Sequence, residues 1–470
     1  MQSQKYKGMR GEFKGDFTRD TFVPGKHFSR VLMQQGRVQL DADWNEQASI
    51  ILHQLRSLAC DLGSEHWGPA EGAGFEIQLS GENDLSIGAG HYYVKGILCE
   101  VEAKDDTQPL LYSNQPDYPI PEDQQLEDLI EELSPQQPLL VYLDVWERHI
   151  VPINDDSIRE IALGGPDTAT RAQVVWQVKA KPLAIADQTR DGVLNYKQDY
   201  PVFLEEIADE IKPGTGRLTA KVKDKSGDDK NPCLVAPSSR YRGAENQLYR
   251  VEVHQPGAAG NATFKWSREN ASVIFPIESI QGATITLEHL GRDCRFGLKA
   301  NDWVEIVDDD SVLQNRAETL LKIESVDAEN RQVTVKSPPG SNVGNSPEKH
   351  PFLRRWDQKA GNQDGIVIVE GVGVDGKWFE LEGGILIQFE AAGIGGNVVP
   401  QYRTGDYWLI PARTATGDVE WPKNAAGEPL AADPHGVVHH YAPLALLTIT
   451  TAAGLSVPSD LRRILQQLWT

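Results

Sequence analysis

Only four cysteines occur in 470 residues, and no two form a C-x-x-C pair, which removes the commonest zinc and thiol-redox frameworks. Cys60, Cys99, Cys233 and Cys294 are too sparse for a disulfide scaffold and are expected as free, buried thiols in a reducing compartment. No stretch approaches 18 consecutive apolar residues, so no membrane-spanning helix is expected. The opening segment MQSQKYKGMRGEFKGDF lacks the apolar core of a secretory leader, and synthesis and assembly in the cytoplasm are expected. Neither a G-x-S-x-G nucleophile elbow nor a phosphate-binding P-loop is present. No internal repeat of 20–50 residues is visible, which excludes solenoids and propellers.

Basic residues are in deficit, with 46 against 68 acidic, a net charge of −22. Such a field repels phosphate backbones and anionic lipid surfaces, so neither nucleic acid nor direct membrane insertion is expected. Hydrophobic residues make up 40% of the chain and tryptophan occurs 11 times, enough for packed cores. At roughly 100–200 residues per domain, two to four domains are expected.

The pattern along the chain predicts a mainly β protein with an N-terminal amphipathic helix and several small β-barrel or sandwich modules. Residues 1–15 read as a flexible arm, and 16–104 as a helical anchor plus a small β unit. Within 31–40, short apolar groups broken by Gln-Gln-Gly predict an extended hairpin. Asp41 or Asp43 is placed to cap a helix. Trp44, Ala48, Ile51, Leu52, Leu55, Leu58, Ala59 and Leu62 then recur at helical spacing, and Gly63 reads as the stop. An acidic, proline-rich linker is expected at 105–137, with a short helix at 126–133. A β segment with long loops follows at 138–215, led by the strand PLLVYLDVWERHI. Period-two runs predict a β-barrel or sandwich at 216–336. After a Pro/Gly/Asn-rich stretch at 337–349, a C-terminal β module at 350–470 ends in a helix at 459–468.

Four groups of residues have chemical potential. Gly371 to Gly376 matches G-x-G-x-x-G, but the following KWFELEGGILIQFE alternates like a strand, so Asp375-Gly376 reads as a hairpin turn and not a dinucleotide loop. His435, His439 and His440 cluster without the helix or the glutamate of a zinc protease. Asp308-Asp309-Asp310 and Asn154-Asp155-Asp156-Ser157 offer oxygen ligands without the spacing of a calcium loop, and solvated turns are the simpler reading. Tyr407, Trp408 and Trp421 could stack on sugars, though such aromatics are more often core or interface residues. No catalytic residue, cofactor or metal ligand is singled out.

The stretch DFTRDTFVPGKHFSRVLMQQGRVQLDADWNE resembles the N-terminal signature of an uncharacterised bacterial domain family encoded beside contractile injection systems and phage-tail-like particles. YLDVWERHI, LGGPDTATRAQVVWQVK, YRGAENQLYRVEVH, FKWSREN, WVEIVDD and YRTGDYWLIPART resemble further blocks of that family, so the likeness spans residues 15–465. IGAGHYYVKG, residues 87–96, is similar to the I-x-x-G-x-x-Y-V-x-G strand pair of phage baseplate and tail-appendage proteins. There an N-terminal helix docks or self-associates while the β part displays or bridges. The resemblance implies a non-enzymatic structural subunit at the baseplate periphery, as a cage, crown or appendage adaptor. Its partners would be other subunits of the particle and further copies of itself, as a trimer or hexamer. The particle would be membrane-anchored or released. Phe17, Phe22, Phe28, Arg37 and Trp44 are the interface anchors this implies, with local core packing as their alternative. A carbohydrate-binding appendage module and a polysaccharide hydrolase are the rival readings.

Overall fold

The run PLLVYLDVWERHI forms the longest strand, Pro138–Ile150, buried along nearly all its length. Alternate side chains serve two cores. Leu139, Val141, Leu143 and Val145 enter a large apolar cluster with Tyr92, Val94 and Cys99. Leu140 and Tyr142 enter another with Tyr200, Phe203 and Tyr441. A strand covered on both faces has no solvent side, which is why this one reads as an almost continuous apolar run.

The computed structural model describes residues 11, 13–81, 84–102, 109–134, 137–183, 200–211, 214–223, 240–291, 297–371, 376–390, 401–450 and 454–465. The protein is mainly β with one long N-terminal helix, α1, Asp41–Gly63. None of its described helices is long and apolar enough to cross a membrane.

Three bodies share the chain. In the first, Pro138–Ile150 pairs with Arg171–Pro182 in unbroken antiparallel register and, on its other edge, with His440–Thr450. The hairpin Gly90–Val94/Ile97–Val101 and the strands Ile77–Ser80 and Asp84–Ile87 complete its core. The second is a sandwich. One sheet orders Ile366–Val367, Thr263–Ser267, Gln247–Val253, Tyr407–Arg413 and Asp418–Val419; the other orders Phe379–Glu380, Ile385–Glu390 and Arg217–Val222. Its core includes Tyr249, Val251, Phe264, Trp266, Ile387 and Trp408. The third is a closed barrel of Ile274–Gln281, Thr284–Leu287, Gln332–Val335, Leu321–Asp327, Trp303–Val307 and Phe352–Trp356. Register shifts at Ile277/Ser279 and Ile323/Ser325 lie in two of its strands, and such bulges bend strands toward closure.

The modules interleave where the sequence pattern placed them end to end. The barrel closes with Phe352–Trp356, beyond the 337–349 stretch expected as a boundary. The strand His440–Thr450 returns to the first body. Residues 109–134, expected as linker, bury Tyr112, Tyr118, Leu126, Leu129 and Leu133, and the short helix there is Leu126–Glu132. The expected terminal helix is not seen in the described part: Ser459–Asp460 is a strand and 461–465 is irregular but for one bridge at Ile464, while 466–470 fall outside the described residues. The expected hairpin at 31–40 keeps its turn, with the Arg37 amide donating to the Gln34 carbonyl, but forms no strands.

Candidate assembly interface

Helix α1 carries apolar residues on two faces and buries only one. Ala42, Ser49, Ile50 and Gly63 are buried, and Arg56 pairs with Glu147 at 2.9 Å. Trp44, Ile51, Leu55, Leu58 and Leu62 are exposed, Trp44 to 79% and Leu62 to 67%. The stripe that identified the helix in the sequence is therefore turned away from the protein's own sheets.

Two close approaches fix this orientation. Gly96, at the tip of the Gly90–Val94/Ile97–Val101 hairpin, has φ +75°, and a Cβ there would lie 2.4 Å from the Arg56 carbonyl oxygen. The last glycine of the IGAGHYYVKG run is thus where the helix backbone crosses the hairpin. At the helix end, a Cβ on Gly63 would meet the Trp67 indole at 2.1 Å, and that indole donates to the Ala59 carbonyl at 3.1 Å. The left-handed residue closing the helix is Ser64, φ 74°, and its amide donates to Cys60. Gly63 is therefore needed for packing, not for the backbone conformation that a helix stop usually requires.

Nor does either first-turn aspartate act as the N-cap, which is Leu40 without a side-chain bond. The Asp41 carboxylate instead accepts from the Thr18 amide at 2.9 Å and hydroxyl at 2.7 Å. Thr21 donates to Glu46, and the Val31 amide donates to Gln47. Residues 18–31 thus form a strap tied along α1. Upstream, Asn270 donates to the carbonyls of Phe13 and Gly15, and the Tyr407 hydroxyl donates to Gly11. The described part of the expected flexible arm is held, while residues 1–10 and 12 fall outside the described residues.

The five implied anchors divide. Phe22 is buried beside His53, with ring centroids 5.8 Å apart, and Phe17 lies half-buried 6.0 Å from the ring of His149. These two hold the strap to the protein. Phe28, Arg37 and Trp44 face outward, as do Leu32, Met33 and Val38. Helix and strap thus each leave large apolar side chains exposed.

The chain matches a family of unknown function, DUF6519, over residues 13–212 and 213–456. It belongs to that family. No curated protein and no solved structure matches it. The division at 212/213 falls just before Arg217–Val222, the first strand of the sandwich, and the matched region takes in the strap, α1 and all three bodies of this DUF6519 chain.

The other chemical candidates resolve into structural roles. Asp308 caps the short helix Asp309–Leu313 in a reciprocal capping box with Ser311. Asp309 accepts from Arg148, Asn154 and His350, and Asp310 from Lys349. The two loops considered for calcium do meet, through Asn154 and Asp309, but around an arginine and a histidine. The Asp144 carboxylate accepts from His439 Nδ1 at 2.7 Å and from Lys179 at 2.7 Å. Burial alone would raise the Asp144 pKa, but His439 and Lys179 outweigh it and hold it at about 2. Burial keeps His440 neutral, its pKa lowered to about 3. Among the described residues, no three histidine, cysteine or acidic side chains are grouped to hold a metal. Tyr407, Trp408 and Trp421, considered for sugar stacking, are buried, and the two tryptophans donate to the Ala432 and Leu430 carbonyls. Of the G-x-G-x-x-G run, residues 372–375 fall outside the described residues; the strand Phe379–Glu380 follows where a dinucleotide loop requires a helix.

A buried ionic cluster escaped the sequence reading. Glu252 accepts from Arg250 at 2.6 Å and lies 3.5 Å from Lys14 and 3.6 Å from Lys265. Lys265 also donates to Glu305 at 2.6 Å, which accepts from Trp356. The Arg250 guanidinium stacks 3.6 Å from the Tyr407 ring centroid. Burial opposes ionisation of Glu252, yet Lys14, Arg250 and Lys265 together hold its carboxyl below the ordinary range. In QLYRVEVH the charges alternate with apolar residues, which ordinarily marks a solvent face. Here that face is covered by the barrel and by the arm carrying Lys14.

Proposed function

We propose that this protein is a structural subunit of a phage-tail-like contractile injection system, acting by protein–protein contact at the baseplate periphery. The observation that carries the assembly role is the set of exposed apolar side chains on α1, turned outward by the close approaches at Gly96 and Gly63, with the strap tied to the helix through Thr18 and Asp41. A run of exposed apolar side chains along one helix of a folded protein, as from Trp44 to Leu62, marks an interaction site. The particle context rests on the resemblance of the strap–helix segment and the later blocks to proteins encoded with such systems. The strap and helix would present Phe28, Arg37 and Trp44, while the sandwich and barrel supply the bulk that bridges or displays.

Burial of Tyr407, Trp408 and Trp421 takes away the aromatic platform on which the sugar-binding reading stood. The test is reconstitution with the sheath, tube and spike proteins of a contractile injection system from the same host. Retention of the full-length chain on sedimented particles, lost in Trp44→Glu/Leu58→Glu with an unchanged circular dichroism spectrum, is the expected result. Absence of the wild-type chain from particles purified from its own host overturns the proposal.

A further inference from the structure

The exposed stripe of α1 has a spacing that specifies its occupant. Trp44, Ala48, Ile51, Leu55, Leu58 and Leu62 are separated by alternating steps of four and three, the 3.5-residue period of a coiled-coil seam. A helix packing on a sheet of its own protein shows a broader, 3.6-residue face. Only one heptad phase fits: Trp44, Ile51 and Leu58 at d, and Ala48, Leu55 and Leu62 at a. Ala48 is exposed with the rest, so the seam is open along its length.

We propose that α1 is the core strand of a parallel homotrimer, in which the seams of three copies of this chain pack together. It rests on reading α1 as the assembly face and names that face's partner. Three observations select copies of this chain. First, of the flanking e and g positions, Asn45, Gln47, Leu52, Gln54 and Ala59 carry no charge and only Asp61, beside the last seam residue, does; Asp41, one heptad before Ala48, is engaged by Thr18. A chain of net charge −22 repels its own copies, and between Trp44 and Leu58 this stripe lets them approach with no carboxylate at its e and g positions. Second, the middle of the seam sets Ile51 at d beside Leu55 at a, with Leu62 at the next a, and Leu at a with Ile at d favours three or four strands over two; Ala48, Trp44 and Leu58 fill the other positions. A three-fold closed ring then makes every copy equivalent and the helices parallel. Third, Trp44, Ile51, Leu55, Leu58 and Leu62 are 47–79% exposed, so the single chain leaves the large side chains of the seam uncovered from one end of the helix to the other, as an unpaired coiled-coil strand would. The opposite helix face is committed to Gly96 and Trp67, so α1 cannot roll to bury the seam within one chain.

The test is the mass of the purified full-length protein by analytical ultracentrifugation across about 0.5–50 μM, a range chosen for micromolar or tighter association. A species about three times the 52.0 kDa of one chain is expected. Leu55→Glu/Leu58→Glu should weaken association about 100-fold or more. Both side chains are exposed in the single chain, so circular dichroism and thermal midpoint of the variant should match the dissociated wild type. Leu55→Cys, at an a position, should give an inter-chain disulfide under mild oxidation, a readout independent of the charge variant. A wild-type monomer throughout the range, a dimer, or a trimer untouched by Leu55→Glu/Leu58→Glu overturns the proposal. A trimer that fails to join particles would sink the proposed function and leave this inference standing; a monomer retained on particles would do the reverse.

Discussion

Glu252→Gln should destabilise the protein more than Lys14→Met, although the two side chains touch. Glutamine keeps the shape of the glutamate but removes its charge. Arg250, at 2.6 Å, then loses its ionic partner in a site where both are almost wholly buried, and Lys265 retains Glu305 alone. Removing one side of a buried ionic set costs about 3–5 kcal/mol, because the remaining charges stay desolvated. Lys14→Met leaves Glu252 with Arg250 and Lys265, and a thioether fills much of the vacated space; the cost should be about 1–2 kcal/mol. Urea unfolding followed by tryptophan fluorescence measures both. The Glu252 contribution also has a pH signature. Its folded-state pKa lies below the ordinary 4.5, so the stabilisation is fully present above that value and is lost as pH falls through the folded value. The gap between wild type and Glu252→Gln should therefore narrow below about pH 4.5. Hydrogen exchange separates the roles further: Lys14→Met should speed exchange at residues 13–18 with the sheet amides of Gln247–Val253 protected. Equal destabilisation by the two variants, or a gap constant down to pH 3, would refute the reasoning.

Asp406 is the opposite titration. Burial raises its pKa to about 7, against partial relief from Arg403, so it favours the fold when neutral and that contribution is lost as pH rises from its unfolded value near 3.8 through 7. Asp406→Asn should raise the thermal midpoint at pH 8 and leave it little changed at pH 3.5. Gly96→Ala places a methyl against the Arg56 carbonyl at a positive φ, and should cost about 2–4 kcal/mol and raise exchange along α1 while the barrel stays protected. Tyr407→Phe removes the hydroxyl bond to Gly11 beneath the arm, and about 1 kcal/mol with it, with the effect confined to exchange at the arm.

Helix α1 and the strand Pro138–Ile150 were legible because local pattern and final environment agree in type. The helix's period was read correctly, but whether its stripe faced the protein or a partner depended on Gly96 and Trp67, which only tertiary packing brings to it. Gly63 illustrates the same limit: a helix-terminal glycine reads as a stop, whereas the indole four residues later is what forbids a side chain. Module boundaries failed for a related reason. A Pro/Gly/Asn-rich stretch such as 337–349 marks a loop, yet says nothing of whether the strands flanking it belong to one barrel. Arg250 and Glu252 were hidden because a charged strand face predicts water, and the cover came from residues near position 14 and from barrel residues 305 and 356. Of the five implied interface residues, Phe17 and Phe22 proved to be internal anchors because a strap needs attachment before it can present anything.

The pairing of Pro138–Ile150 with His440–Thr450 has a consequence for biogenesis. About 300 residues separate the two strands, so the central strand leaves the ribosome with one edge open and waits through the synthesis of the sandwich and barrel. At 5–20 residues per second that interval is about 15–60 s. An apolar strand with unpaired amides is a template for aggregation over such a time, and a holdase covering it should raise the yield of soluble chain. The seam of α1 emerges earlier still, so neighbouring nascent chains on one message can meet through it before any of them has closed its first sheet.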